Sequence, residues 1–251
     1  MTRGTLNELA LFAGAGGGIL GSSLLGWRTV CAVEIEPYCR EVLLRRQEEQ
    51  ILESFPIWDD IRTFDGKPWR GKVDVITAGF PCQPFSVAGS QRGEGDERNL
   101  WPETIRTIRE VQPTFCLLEN VPGLLTIGYF GQILGDLAES GYNARWCVLG
   151  ARDVEAPHKR DRVWVYCSNS REVGCQQGSR EGIQSKIKEP EGQEHCNVSN
   201  EEQNRGDWWR SEPNVDRVAN GVAFRVDRIK AIGNGQVPAV VRAAWDLLTN
   251  D

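Results

Sequence analysis

The residues of this chain best suited to chemistry fall into five short clusters, each set at the end or start of an apolar run. The first is Gly79-Phe80-Pro81-Cys82-Gln83-Pro84-Phe85-Ser86. Prolines on both sides of Cys82 stiffen its loop. A thiol there, at a strand end facing a ligand cleft, becomes a nucleophile once ionised, and neighbouring cations favour that. The second is Glu119-Asn120-Val121-Pro122. A carboxylate that closes an apolar strand is costly unless paired or used, and beside the Cys82 loop it could hydrogen-bond a heterocycle. The third is His158-Lys159-Arg160-Asp161-Arg162. Alternate residues of a strand share a face, so Arg160 and Arg162 are expected to point together. Two guanidiniums can hold a phosphate or a base carbonyl and lower a nearby thiol's pKa. The fourth is a glycine run, Gly14, Gly16, Gly17 and Gly18, in which Gly16-x-Gly18-x-x-Gly21 matches the dinucleotide fingerprint. Some twenty residues beyond Gly14 stand Glu34 and Glu36, where a carboxylate can accept both hydroxyls of a ribose. This pairing points to an adenosine cofactor and leaves NAD and S-adenosyl-L-methionine equally open. The fifth, Gly233-Asn234-Gly235-Gln236-Val237-Pro238, is a helix-entry loop whose backbone can close over a ligand.

The elements that must position these clusters alternate strand with helix. Strands are expected at Leu9–Phe12, Thr29–Ile35, Val73–Phe80 and Thr114–Val121, with a closing pair at Arg145–Leu149 and Arg162–Cys167. Helices are expected from Pro37 to Glu49, Pro102 to Val111, Gly131 to Ser140 and Pro238 to Leu248, three of them opening on proline. That alternation predicts an α/β fold, a mostly parallel sheet with helices on both faces. Ligands in such sheets sit at the carboxyl ends of the strands, where the clusters stand. From Ser168 to Asp207 the chain is rich in Glu, Gln, Asn, Ser and Gly and can build little core. The expected division is therefore a core over 1–167, a small polar insertion over 168–207, and a segment over 208–251 that returns to the core.

Composition sets the outer limits. The chain has 251 residues, 40% hydrophobic and 25% charged, enough for one main domain with its own core. No apolar run approaches the length that spans a membrane, and the N-terminus has no secretory pattern, so a cytoplasmic protein is expected. The eight cysteines are then expected to be reduced. Cys167, Cys175, His195 and Cys196 fit no common zinc spacing, and no metal is expected. A net charge of −6 argues against a wholly basic nucleic-acid binder, yet a local basic cleft suffices to hold phosphates.

Taken in order, the clusters resemble the C5-cytosine-specific DNA methyltransferase family of bacteria and phages. The resemblance covers residues 5–167 and 208–249. It implies a Rossmann-like S-adenosylmethionine-dependent methyltransferase fold. Phe12-Ala13-Gly14-Ala15-Gly16-Gly17 looks like the family's cofactor loop, with Phe12 against the adenine. Glu34 matches the ribose-binding acid and Ile35 its adenine-packing neighbour. Asp60-Ile61 matches the segment that reads the adenine amino group, and Pro81 and Leu100 are further cofactor-side positions. Asn234 matches the closing motif. Cys82, Glu119, Arg160 and Arg162 match the catalytic set. By this resemblance Cys82 adds to carbon 6 of a flipped-out cytosine and Glu119 holds the ring nitrogen. Arg162 grips the base carbonyl with Arg160 in support, and carbon 5 takes the methyl group.

The resemblance implies double-stranded DNA as substrate, no membrane, a monomer, and a cognate restriction endonuclease as partner. His158 stands where the family has Gln, Ala10 where an acid is often found, and Gln236 adds one residue before Val237-Pro238. The polar stretch is short for a target-recognition domain, which implies a short or relaxed recognition sequence. An RNA methyltransferase with the same catalytic set and an inactive DNA-binding module are the rival readings. An NAD-dependent oxidoreductase leaves Pro81-Cys82-Gln83 and Glu119-Asn120 unexplained.

Overall fold

A computed structural model describes residues 5–81, 99–126, 128–170 and 225–250. Seven strands form one sheet in the order β3-β2-β1-β4-β5-β7-β6. They are β1 (Asn7–Leu11), β2 (Arg28–Val33), β3 (Ile57–Trp58), β4 (Val75–Ala78), β5 (Phe115–Asn120), β6 (Tyr142–Leu149) and β7 (Arg162–Asn169). The first five are parallel, while β7 runs antiparallel between β5 and β6. Among the described residues six α-helices accompany them: α1 (Gly17–Leu24), α2 (Pro37–Glu48), α3 (Trp101–Val111), α4 (Tyr129–Glu139), α5 (Arg225–Asn234) and α6 (Pro238–Thr249).

The two faces of the sheet follow from the two-residue period of its strands. Ile76, Leu118, Val163 and Val165 face one side, where they pack with Trp101, Ile105 and Ile108 of α3 and Phe130, Ile133 and Leu137 of α4. Val75, Leu117 and Trp164 face the other and meet Val240, Val241, Ala244 and Trp245 of α6. On that second side Ala10 and Ala32 leave room for Ile19 of α1 and Leu43 of α2. Each fully buried large side chain contributes about 1.5–3 kcal/mol. Helix α3 shows how sequence sets an element: Pro102 sits in its first turn, and Trp101, Ile105, Ile108 and Val111 recur at helical spacing on the buried face. It ends at Gln112, whose φ of 53° is left-handed, just before Pro113.

The predicted sheet, its parallel character and its covering helices are all present. Some boundaries differ. The glycine run is not all loop, because Gly17–Leu24 is helix α1, capped by Gly16 at φ 92°. Gly233-Asn234 does not form a loop before the last helix; both residues end α5, and 235–237 make the link to α6. Strand β7 runs past Cys167 through Ser168 and Asn169, because β5 and β6 bond it from both sides whatever its polarity. The rest of the predicted insertion, from 171 on, lies outside the described residues. So do Trp208 and Trp209.

Candidate active site

The glycine turn is built by β1 and β2 together. Phe12 takes a left-handed φ of 55°, and the Ala13 amide donates to the Val33 carbonyl at 3.1 Å. The Glu34 carboxylate, 6% exposed, then holds the turn. Its Oε2 accepts from the Gly14 amide at 2.6 Å and its Oε1 from the Glu36 amide at 2.8 Å. Burial pushes its pKa up, and the two amides oppose that. Two carboxylate oxygens carry about four acceptor sites, so each keeps one beyond its backbone donor. Ile35 beside it is half exposed, and Trp58, paired to Val33 across β2 and β3, is nearly as open. An acceptor pair flanked by uncovered apolar surface suits a ribose next to a flat heterocycle. Asp60 ends the neighbouring loop, where its Oδ1 accepts from the Arg62 amide at 2.9 Å. Ile61 turns its side chain into the core, and its carbonyl accepts from Arg106 at 2.6 Å.

A cleft opens at the carboxyl ends of β1, β4 and β5. Phe12 and Gly14 from the glycine turn, Thr77 and Gly79 from β4 and its exit, Glu119 from β5, and Asn234 and Gln236 from the link before α6 all line it. Among the described residues Glu119 is the one carboxylate in that wall. Its Oε1 accepts from Arg162 Nε at 2.8 Å, and the side chains are only 11% and 22% exposed. Burial raises the Glu119 pKa, and Arg162 works against that. Arg160 adds positive potential to the same carboxylate.

The expectation that Arg160 and Arg162 align through strand alternation needs correction. Arg160 precedes the strand and has φ 40°. That turn, not the pleat, brings it near Glu119 and aims its guanidinium at the carbonyls of Gly233, 2.8 Å away, and Gly235. Arg160 therefore staples the link before α6. His158 is exposed.

Cys82 lies outside the described residues, but the entrance to its loop does not. Ala78 pairs with Leu118, which sets Gly79 next to Glu119. Asn120 Nδ2 donates to the Phe80 carbonyl at 3.0 Å, and Phe80 packs on Trp101 with ring centroids 5.2 Å apart. Pro81 is half-buried at the end of this anchored run. Leu100 flanks the start of α3, half-buried against the core. Ala15 lies in the turn, Gly16 caps α1, and Gly17 opens that helix against the link. Cys31, Cys39, Cys116 and Cys167 are buried thiols, and burial pushes Cys31 up to about 12. Thiols like these are poor nucleophiles.

Two residues escaped the sequence reading. Gln236 appeared only as an extra residue, yet it lies against Gly17, Gly18, Gly79 and Glu119 at once. Glu8, fully buried in β1, accepts hydroxyl bonds at 2.6 Å from Ser22, Thr29 and Thr77. An acid inside an apolar strand was the available signal for Glu8; nothing local marked Gln236.

A seven-stranded, mostly parallel sheet of this order, with a glycine turn and carboxylate at its β1–β2 end and a paired Glu beside β4, is a Rossmann-like frame with its cleft at the carboxyl ends of the strands. The family model for C-5 cytosine-specific DNA methylase matches residues 6–219, and the chain belongs to that family. Type II methyltransferase M.NgoMIV of Neisseria gonorrhoeae is 40% identical over 160 residues, covering 62% of this chain and 49% of that protein. Type II methyltransferase M.Eco47II of Escherichia coli is 37% identical over 165 residues, covering 62% and 38%. The chain thus spans half or less of the length of these relatives. Among solved structures, a putative DNA modification methyltransferase encoded within an E. coli prophage superposes with a TM-score of 0.55 at 27% identity, covering 66% of this chain and 47% of that one. The Dnmt2 methyltransferase of S. pombe, 23% identical with a TM-score of 0.54 over 65% and 50% of the two chains, shares the fold. Among the described residues no helix is long and apolar enough to cross a membrane.

Proposed function

We propose that this chain transfers a methyl group from S-adenosyl-L-methionine to carbon 5 of cytosine in double-stranded DNA, with Cys82 as nucleophile. The observation that carries the reading is the shared cleft: the glycine turn beside Glu34 and the Arg162-paired Glu119 line one cavity. Cofactor and base would thus meet in a single space. The cofactor, when bound, supplies an electrophilic methyl group. Phe12, Gly14, Ala15, Gly16 and Gly17 would surround it, with Glu34 on the ribose, Ile35 on the adenine and Asp60 with the Ile61 backbone at the amino group. Pro81, Leu100 and Asn234 would complete its wall.

The protein residues divide the remaining work. The Cys82 thiolate adds to carbon 6 of the flipped base. Glu119 protonates the ring nitrogen, which accepts the electrons displaced by that bond and leaves carbon 5 nucleophilic. Burial favours its neutral, proton-donating form. Arg162 steadies the carboxyl and faces the base carbonyl, and Arg160 stabilises developing negative charge. After methylation the carbon 5 proton passes to water, the Cys82–carbon 6 bond breaks with return of its electrons to sulfur, and the ring nitrogen gives its proton back to Glu119, so that thiolate and carboxylic acid are both restored. A cytoplasmic monomer serving beside a cognate restriction endonuclease, or protecting phage DNA, completes the proposal. The short region between Arg162 and α5 fits a short or relaxed target sequence.

The test is incubation of the full chain with methyl-labelled cofactor and mixed-sequence duplex DNA, beside Cys82→Ser. Label recovered as 5-methylcytosine, and lost in Cys82→Ser, is the expected result. Label on tRNA but not on DNA would replace the substrate, and no label on either would end the reading.

A further inference from the structure

We propose that Gln236 is a positioning residue that holds the Glu119 carboxyl from the cofactor side and so couples the methyl-donor site to the base site. The inference rests on the function proposed above. Arg162 takes one oxygen of Glu119, at 2.8 Å. Gln236 Nε2 faces the other, at 3.4 Å from Oε2. That is a long hydrogen bond, of the kind that tightens when substrate arrives.

The surroundings preset this side chain. The Gln236 carbonyl lies where a Cβ on Gly17 would be, 2.2 Å from that point, and its Oε1 lies 2.5 Å from the Cβ position of Gly18. Its Nε2 is 3.0 Å from the Cβ position of Gly79. The amide is therefore wedged between α1 and the β4 exit. Its backbone is fixed on one side by Arg160, which holds the carbonyls of Gly233 and Gly235, and on the other by α6, anchored through Val240 and Val241. Gly17 and Gly18, read from sequence as cofactor glycines, thus also make room for this link.

The chemistry suits the place. A neutral amide adds no charge to a carboxyl already facing Arg162 on β7 and Arg160 in the turn before it. It donates to one oxygen and so fixes the plane of the carboxyl, leaving the proton of the neutral acid to be aimed at the base. Because the same side chain lies against Gly18 in the first turn of α1, a cofactor that orders the start of that helix also orders Glu119.

The experiment uses the full chain, duplex DNA and labelled cofactor. Gln236→Met keeps the length of the side chain and removes the donor. Its kcat is expected to fall roughly 10- to 100-fold, the loss of one hydrogen bond to a charged group, while the thermal midpoint is retained. The pH–rate limb that reports Glu119 should move upward, because the ionised form has lost a donor. In a Glu119→Gln background, adding Gln236→Met should change kcat by no more than about twofold. If Gln236→Met does not fold, Gln236→Glu, which keeps the shape, carries the same tests and should shift the limb further upward. An active parent whose Gln236 variants keep kcat and pH profile, or whose losses multiply independently of Glu119, overturns this inference alone. A parent that transfers no methyl group overturns the proposed function, and this inference with it.

Discussion

Adding one methyl group at Gly17 and at Gly135 should change stability in opposite directions. Gly135 sits exposed within α4, and a Cβ there meets nothing within 4 Å. Gly135→Ala should therefore stabilise by about 0.5–1 kcal/mol, through the unfolded chain's lost freedom and helix propensity. Gly17 is also helical, so propensity alone predicts the same gain. Its Cβ, however, would stand 2.2 Å from the Gln236 carbonyl oxygen and 3.2 Å from the neighbouring backbone carbon and nitrogen. Ordinary contact begins near 3.4 Å, so the link before α6 must retreat by more than 1 Å. Overpacking of this kind typically costs about 1–3 kcal/mol, and a backbone neighbour places it at the upper end. Net of the propensity gain, Gly17→Ala should lose about 2 kcal/mol, or roughly 4–8 °C in thermal midpoint for a chain of this size. Calorimetry or a fluorescence melt of both variants reads the difference. A Gly17→Ala protein that melts at or above the parent would refute the seating of Gln236 on α1, and with it the geometry on which the further inference stands.

The buried acid of β1 gives a second expectation. Burial raises the Glu8 pKa above its unfolded value, against three hydroxyl donors. The folded state therefore holds a proton that the unfolded state releases. Stability should fall as pH rises from the unfolded pKa towards the folded one, by at most about 1.4 kcal/mol per unit. Glu8→Gln removes that slope, and its amide can serve the same hydroxyls with Thr29 reoriented as acceptor. Urea titrations at pH 5 and pH 8 should show the variant gaining on the parent at the higher value; parallel behaviour would mean that Glu8 titrates normally. Glu34→Gln should weaken cofactor binding by roughly tenfold or more by calorimetric titration. Its amide can accept from only one of Gly14 and Glu36 and opposes a donor to the other. Unchanged affinity would remove Glu34 from the cofactor site.

Several features were legible without coordinates because their causes are local. The apolar runs around Leu9, Ile76 and Leu117 set three neighbouring strands, and Pro37, Pro102 and Pro238 mark the first turns of α2, α3 and α6. Glu119 was singled out because a carboxylate closing an apolar strand is expensive without a task, and Glu34 because it ends a strand some twenty residues beyond the glycine run. Their order along the chain carried the family resemblance. The rest depended on contacts between residues far apart in sequence. Arg160 reaches its place by a left-handed turn that alternation could not anticipate. Glu8 is tolerable only because Ser22, Thr29 and Thr77 arrive from α1, β2 and β4. Gln236 meets Glu119 across 117 residues, through a link whose path is set by the packing of α6 on the sheet and α1. Periodicity and turn chemistry thus determined which segments are strands and helices and which side chains await partners. Close packing alone decided who those partners are, because a close approach of two backbones leaves no mark on either segment's own sequence beyond a glycine.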